Sequence, residues 1–196
     1  GTLHRREPIH IVSEHARRSR RGQIQTGVLT PYPMTIEKAL MEDIDKLMPL
    51  YDYARQFMAD NGNPNQWING YPSREVIAGD INEGNCYVCH DEQGTIIGAF
   101  TFIIDADPTY LIIKEGAWLN ESAPYGVIHR LASDGSRHGI GKSCIDWCFT
   151  KIGNIRIDTH RDNLIMQRLV TAYGFSYCGI IYTHNHTERL AYQLTK

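Results

Sequence analysis

Residues 127–151 read VIHRLASDGSRHGIGKSCIDWCFTK, and this stretch constrains the fold more than any other part of the sequence. Residues 127–133 predict a β-strand, and residues 134–138 predict a turn. Residues 139–141, Gly-Ile-Gly, then open a helix. The apolar residues of that helix recur at helical spacing: Ile140, Cys144, Ile145, Trp147 and Cys148. We therefore expect a strand, a glycine-rich turn and a helix at the centre of the fold.

A helix that starts in this way attracts anions. Its first N–H groups have no partner within the helix and lie at the positive end of the helix dipole. The glycines allow a phosphate to approach the backbone closely, and Arg137, His138 and Lys142 can add positive charge. The turn is therefore predicted to bind a phosphate group.

Two familiar phosphate motifs nearly fit the turn. A nucleotide P-loop has four residues between its first glycine and its Gly-Lys-Ser. The corresponding position here is Ser136, and Gly135 lies one residue too early. The dinucleotide fingerprint needs a third glycine where Cys144 stands. The sequence therefore favours neither motif.

Length and composition narrow the class of protein. A chain of 196 residues can bury one substantial core, which predicts a single main domain. No apolar run approaches the roughly 18 residues of a membrane-spanning helix, so no membrane partner is expected. The net charge of -2 argues against general nucleic-acid binding. An odd number of cysteines, five, with no signal peptide indicates reduced thiols and a cytoplasmic protein.

Charge divides the chain into two parts. Residues 1–33 carry six arginines and two glutamates, a balance of +4, which leaves -6 for residues 34–196. Residues 1–33 have no clear apolar period, and we predict that they form a basic N-terminal extension. A transit peptide and a basic nucleic-acid tail are the alternatives.

Apolar patterns and turn residues predict the other elements. The first half contains a strand at 34–40, a helix from Glu42 to about Asn61, a short helix at 73–81 and a hairpin of strands 85–90 and 95–104. Residues 105–124 are expected to be irregular. A strand at 154–159, a helix at 162–173 and a closing hairpin of strands 175–183 and 189–194 follow the central unit.

The first hairpin contains Cys86-Tyr87-Val88-Cys89-His90, which matches the attachment motif of a c-type haem. Strand alternation puts Cys86 and Cys89 on opposite faces, so we interpret them as ordinary buried cysteines. Cys144 and Cys148 lie one helical turn apart, but no second pair of ligands stands at a recognisable spacing for zinc. No metal site is predicted.

From residue 34 onward, the order of elements and the central turn resemble the GNAT superfamily of acyl-CoA-dependent N-acetyltransferases. The family signature, Gln/Arg-x-x-Gly-x-Gly/Ala, corresponds to residues 136–141, which keep both glycines but have serine first. Asn163 and the pair Gly174-Phe175 match a second family feature around the next helix. The resemblance implies an α/β fold with a mixed, mostly antiparallel central sheet, helices on both faces and a splay between the two central strands.

The resemblance also implies acetyl-CoA as cofactor. Its pyrophosphate would bind the N–H groups of residues 137–142, and its pantetheine arm would lie along strand residues 131–133. The residues expected to bind the cofactor are Leu131, Ala132, Ser133, Ser136, Arg137, His138, Gly139, Ile140, Gly141, Lys142, Ser143 and Asn163.

The thioester would then lie near His129, Asp158 and His160. A substrate ammonium must lose a proton before it attacks, and a neutral histidine can accept that proton at pH 7. His129 is our first candidate for the base, with Asp158 and His160 as alternatives. Many family members have a tyrosine as general acid where this chain has Val170, and Tyr173, one turn further on, is the candidate substitute.

The acceptor is predicted to be a primary amine of a small molecule or a peptide, and a second copy of the chain is a candidate partner. Loops 61–72 and 105–124 would shape the acceptor pocket through Trp67, Tyr71, Glu115 and Trp118. A non-catalytic acyl-CoA-binding sensor is the alternative function. A P-loop nucleotide-binding protein is a third hypothesis.

Overall fold

The computed structural model describes residues 33–196. The extension predicted over residues 1–33 therefore lies, except for Pro33, outside the described residues. The strands are β1 (Thr35–Lys38), β2 (Cys86–His90), β3 (Ile96–Ile104), β4 (Gly126–Ser133), β5 (Asn154–Thr159), β6 (Ser176–Tyr182) and β7 (Glu188–Thr195). The helices are α1 (Ile44–Asp60), α2 (Arg74–Asn82), α3 (Ile140–Phe149) and α4 (Leu164–Tyr173), with 3-10 turns at Met41–Asp43 and Pro108–Tyr110.

The seven strands form one sheet in the order β1-β2-β3-β4-β5-β7-β6. Every neighbouring pair is antiparallel except the central pair, β4 and β5, which is parallel. This pair is joined only at Gly126–Ile155 and Val127–Arg156, after which the two strands separate. The mixed sheet and its central splay confirm the predicted fold class.

Apolar side chains cover both faces of the sheet. On one face, α3 and α4 pack on β3, β4 and β5 through Phe100, Ile128, Ile145 and Val170. On the other face, α1 and α2 pack on β2 and β3 through a second cluster, Leu47, Tyr51, Ile77, Val88 and Ala99. A third cluster joins the 105–125 connection to β4, β6 and β7: Tyr110, Trp118, Tyr125, Val127, Cys178, Ile181 and Ala191.

The cysteines of β2 point to opposite faces, as the alternation predicted. Cys86 belongs to the core under α1 and α2, whereas Cys89 lies on the other face with its Sγ 3.4 Å from Sγ of Cys144. All five cysteines are buried free thiols. Residues 33–196 contain no group of three or more His, Cys, Asp or Glu side chains that could hold a metal ion.

Local capping explains where two of the helices begin. Ser73 caps α2 by accepting a hydrogen bond from the N–H of Val76, as its sequence pattern predicted. The helix expected from residue 162 begins two residues later, because the side chain of Asn163 accepts the N–H of Met166 and so serves as the cap of α4.

No helix between residues 33 and 196 is long and apolar enough to cross a membrane.

Strand β4 contains a bulge that the sequence did not predict. Ala132 pairs with Ala99 and His129 pairs with Thr101, so Arg130 and Leu131 together stand opposite a single residue of β3. Arg130 has a φ of 51°, in the left-handed region. The bulge interrupts the alternation of faces, and both His129 and Arg130 consequently point toward the side of α2.

Candidate functional site

A cavity of about 1120 Å³ passes beside the place where β4 and β5 separate. Its walls come from α1, the loop 61–73, β4, the turn 133–139, the end of β5, the start of α4 and the turn 183–187. Segments distant in sequence therefore meet around one space. The cavity has two ends, which differ in how they are built.

The first end lies at the N-terminus of α3. Gly139 caps this helix with a φ of 85°, and the first helical hydrogen bond runs from the N–H of Ser143 to the carbonyl of Gly139. The N–H groups of residues 138–142 precede that first helical bond and lie at the positive end of the helix dipole. These residues form the cradle, where the glycine pattern predicts an anion site.

Ten of the twelve predicted cofactor residues line the cavity: Leu131, Ala132, Ser133, Arg137, His138, Gly139, Ile140, Gly141, Lys142 and Asn163. Ser136 does not, and its N–H donates to the carboxylate of Asp134 within the turn. Ser143 does not either, because its N–H is already used in the first turn of α3.

The cations near the cradle are partly engaged by acids. Arg137 Nη2 lies 3.1 Å from Oε2 of Glu92, and Lys142 Nζ lies 3.1 Å from Oδ2 of Asp146. The Lys142 side chain is 63% exposed, so solvent screens its charge. The backbone N–H groups are consequently a more fixed positive feature of this end than the Lys142 side chain.

The second end of the cavity contains His129. Its Nε2 lies 2.8 Å from Oδ2 of Asp107, and the other oxygen of Asp107 accepts the N–H and the hydroxyl of Thr109. Burial would raise the pKa of Asp107, but the hydrogen bonds from His129 and Thr109 outweigh it and lower the pKa to about 2. An ionised carboxylate can only accept, so Nε2 carries the proton and Nδ1 of a neutral His129 keeps its lone pair.

Asp158, one of the alternative bases, also lines this end. The hydroxyl of Tyr110 donates to its Oδ2 at 2.7 Å. Burial, followed by the nearby carboxylate of Asp158, raises the pKa of Tyr110 well above its ordinary value, so the tyrosine acts as a donor. One oxygen of the Asp158 side chain is therefore bonded to the protein.

His160, the other alternative, lies away from this space. Strand β5 ends at Thr159, and His160 lines a separate small cavity of about 220 Å³ beside Arg189. Its Nδ1 accepts the N–H of Asp162, while burial and then the charge of Arg189 lower the pKa of His160. The alternation that appeared to unite Asp158 and His160 stops one residue too early.

Tyr173, the candidate acid, does not line the cavity. It stacks on Phe149 of α3, and its hydroxyl donates to Asp146. Burial and then the hydrogen bond to Asp146 raise the pKa of Tyr173. Val170 is fully buried, so the tyrosine that many family members have at that position has no equivalent hydroxyl here.

Of the four predicted acceptor residues, Trp67 and Tyr71 line the cavity, whereas Glu115 and Trp118 do not. Trp118 is buried in the third core cluster and donates its indole N–H to the carbonyl of Tyr110. The segment beside Glu115 is fixed to the edge of the sheet by a bridge between Lys114 and Ile180.

A buried ion pair lies beside the second end of the cavity. We call this end the acceptor end, because Trp67 and Tyr71, two of the predicted acceptor residues, line the cavity. Arg130 binds both oxygens of Asp80 through Nε and Nη2, each at 2.8 Å, and its Nη1 donates to the hydroxyl of Tyr71. Thr101, the cross-strand partner of His129, also donates to Asp80. The bulge of β4 therefore ties the ring of Tyr71 to α2 beside His129.

Gln66 connects the 61–73 loop to the far side of the splay. Its Oε1 accepts from Asn163 Nδ2 at 3.0 Å and faces the hydroxyl of Thr159 at 3.3 Å. The backbone carbonyl of Gln66 accepts from Nη2 of Arg189 at 3.2 Å. These contacts position the loop that carries Trp67.

Sequence reasoning missed four contributors to the site: Gln66, Asp107, Arg130 and Arg189. One signal was available, because Asp107 is followed by Pro108 and caps the short 3-10 turn, an arrangement typical of a helix start. The other three have no local pattern. They reach the site only through loop geometry, the bulge and strand pairing.

Comparison with known proteins identifies the fold. The chain is similar to a GNAT-family acetyltransferase from Streptococcus agalactiae, with 31% identity and a TM-score of 0.76 over 83% of this chain and 95% of that one. A GNAT-family acetyltransferase from Listeria monocytogenes is 18% identical with a TM-score of 0.63, over 83% and 95% of the two chains. The chain is also similar to a protein of the NatC complex bound to Gag peptide and CoA, with 18% identity and a TM-score of 0.55 over 83% of this chain and 98% of that one. No protein-family model and no curated protein matches the sequence.

Proposed function

The chain belongs to the GNAT family of acetyltransferases, and on that premise we propose that it transfers an acetyl group from acetyl-CoA to a primary amine. One observation carries the proposal. The gap between β4 and β5 lies in a single cavity between the cradle and the His129–Asp107 pair. A phosphate-binding end and a proton-accepting end are thus joined by the space that an extended cofactor arm needs.

The residues present fit coenzyme A. The N–H groups of the cradle suit a pyrophosphate, with Arg137 and Lys142 nearby to attract its charge. Beyond residue 127, β4 has no partner on its β5 side among the described residues, so residues 131–133 can bind the amides of the pantetheine arm. When bound, acetyl-CoA supplies the acetyl group as a thioester, whose C–S bond breaks as the C–N bond to the amine forms.

The charges that line the two ends suit their proposed ligands. Arg137, His138 and Lys142 lie at the cradle, whereas the carboxylates of Asp107 and Asp158 lie at the other end, together with Arg189. An amine arrives mostly as an ammonium ion, which these carboxylates attract. Asp158 is the better candidate to meet it, because both oxygens of Asp107 already accept hydrogen bonds.

His129 is the proposed base. An amine with an ordinary pKa near 10.4 is neutral in less than about one molecule in a thousand at pH 7, a handicap of roughly 4 to 5 kcal/mol. With Nε2–H fixed on Asp107, His129 offers Nδ1 as the proton acceptor. His129 then holds a proton that it can return to the departing thiolate. Asp107 acts through His129 as a positioning residue.

A non-catalytic acyl-CoA sensor is the second candidate, and one observation favours it. The hydroxyl of Tyr173 is bonded to Asp146 outside the cavity, so it cannot protonate a thiolate from its present position. A thiolate of ordinary pKa, about 8.5, can nevertheless leave without an acid. The transferase hypothesis therefore does not depend on Tyr173.

Turnover separates the two candidates. The protein would be incubated with acetyl-CoA and a panel of amines, with free thiol measured over time and acetylated products identified by mass spectrometry. We expect thiol release that requires both an amine and His129. A protein that binds CoA by isothermal titration but releases no thiol above background would be a sensor, and one stabilised equally by ATP would not be an acetyltransferase.

A further inference from the structure

Arg189 is a buried cation at the acceptor end of the cavity. Only 8% of its surface is exposed, and it lines the same space as His129 and Asp158. Its guanidinium donates to the hydroxyl of Thr187 and to backbone carbonyls, all of them neutral oxygens. No carboxylate between residues 33 and 196 lies within ion-pair distance of it. Burial lowers the pKa of Arg189 and outweighs the charge of Asp158, which raises that pKa. A buried charge without a directly bonded counter-ion is costly, so this one requires a reason.

The other buried arginines have such a compensation. Arg130 is matched by both oxygens of Asp80. Arg156 lies between the rings of Trp118 and Tyr125, at 4.2 and 3.9 Å from their centroids, and it does not line the cavity. Among these three arginines, Arg189 alone combines burial and a cavity wall with the lack, among the described residues, of a directly bonded carboxylate or a stacked ring.

Strand register places Arg189 on the acceptor face. Asp158 is the cross-strand partner of Ala191, and Arg189 lies two residues before Ala191, so the side chains of all three point to one face. Asp158 and Arg189 are therefore diagonal neighbours, whose backbones lie about 7–8 Å apart. A small ligand with a positive and a negative group can lie between them.

On this basis we infer that the acceptor is a small zwitterion, an amino acid whose amine faces Asp158 and His129 and whose carboxylate pairs with Arg189. The inference rests on the proposed transferase function and specifies its substrate class. A planar guanidinium binds a carboxylate through two parallel hydrogen bonds, which a neutral amide cannot reproduce. An amine and a carboxylate on one carbon are close enough to bridge neighbouring strands. The carboxylate of the ligand would thus supply the directly bonded counter-ion that Arg189 lacks.

Matched acceptor pairs test the inference. The standard amino acids and their C-terminal amides would be compared as acceptors with saturating acetyl-CoA, using thiol release and mass spectrometry. We expect kcat/KM for the best free acid to exceed that of its amide by at least about ten-fold. Arg189→Gln should lower kcat/KM for the acid by about 100-fold, mainly through KM, and for the amide by less than about three-fold.

Control variants keep the test specific. Arg189→Lys retains the charge but loses the paired donors, so it should recover part of the activity toward the acid. Arg161→Gln removes a neighbouring exposed arginine, which is bonded to Glu188. This variant should leave kcat/KM unchanged for both the acid and the amide. The KM for acetyl-CoA should be the same in all three variants, which would exclude a general loss of folding.

The outcomes separate this inference from the function on which it rests. The zwitterionic acceptor would be excluded if amides were acetylated as well as acids, or if Arg189→Gln lowered kcat/KM equally for both. Either result would leave the proposed acetyltransferase function unaffected. An equal loss would also indicate that Arg189 acts by holding the 61–73 loop through Gln66 rather than by binding the acceptor. No turnover of any amine would overturn both.

Discussion

The two ends of the cavity are built in different ways. The cradle end consists of consecutive residues, 138–142, whose backbone N–H groups are proposed to bind the pyrophosphate. The acceptor end consists of side chains from β4, β5, β7 and two loops, brought together by pairing and by buried hydrogen bonds. Ligand binding at the cradle end should therefore depend mainly on the shape of the backbone. The acceptor end should depend on individual side-chain groups.

The largest effect is expected at the acceptor end, from Asp107→Asn. An amide can donate or accept, so the variant no longer fixes the proton on Nε2 of His129. We expect kcat/KM to fall by about 10²- to 10⁴-fold at neutral pH, with CoA affinity by isothermal titration unchanged. Asp105→Asn, at an exposed neighbouring acid, is the matched control. Retention of parental activity by Asp107→Asn would place the base elsewhere.

At the cradle end, Gly141→Val should change cofactor binding. A Cβ at Gly141 would lie 3.0 Å from Cδ2 of Leu169, so a branched side chain would press α4 away from the turn. We expect CoA affinity to fall by roughly ten-fold or more, with a loss of about 1 to 3 kcal/mol in the free energy of unfolding. Gly79→Val, in α2 with no atom within 4 Å of its Cβ position, is the control. Unchanged CoA affinity would contradict the proposal that the cradle binds the pyrophosphate of CoA.

Acid should remove the contribution that Asp107 makes to the free energy of unfolding. The pKa of Asp107 is about 2 in the folded protein, below its ordinary value of 3.8, so its carboxylate stabilises the fold above about pH 4. That contribution, roughly 2 kcal/mol, should disappear as the pH falls toward 2. The difference in unfolding free energy between wild type and Asp107→Asn, measured with urea, should therefore shrink between pH 5 and pH 2. A constant difference would contradict the assigned ionisation.

The smallest effect is expected from Lys142→Gln, because this cation is exposed and screened. CoA binding should weaken by about two- to five-fold at low salt and by less at about 0.5 M salt. Lys151→Gln, at the other end of α3, should have no effect at either salt concentration. A large loss that is insensitive to salt would mean that Lys142, rather than the backbone, provides most of the phosphate binding.

The same contrast explains what the sequence could predict. The strand, turn and helix of residues 126–149 follow from local apolar spacing and from glycines, and the cradle lies within them. Asp107 is 22 residues from His129, and Gln66 is 97 from Asn163. Such pairs depend on how strands and loops meet, which no local pattern encodes.

Two further residues show the limits of periodicity. His160 was grouped with Asp158 by strand alternation, but β5 ends between them and the backbone turns. Tyr173 was grouped with Val170 by helical spacing, but it lies at the last residue of α4, where its ring meets α3 instead of the cavity. Periodic patterns hold only inside an element, and both residues lie at or beyond an end.

The bulge at Arg130 makes β4 sensitive to a change in length as well as in composition. The extra residue is the reason that His129 and Arg130 share a face while Ala132 still lies over the core of α1 and α2. Deleting Arg130 would restore regular alternation and leave the other side chains of β4 on their present faces. Deleting Ile128 would also remove the bulge, but it would move His129 to the opposite face of the strand. Loss of that single codon would turn the proposed base away from the acceptor end.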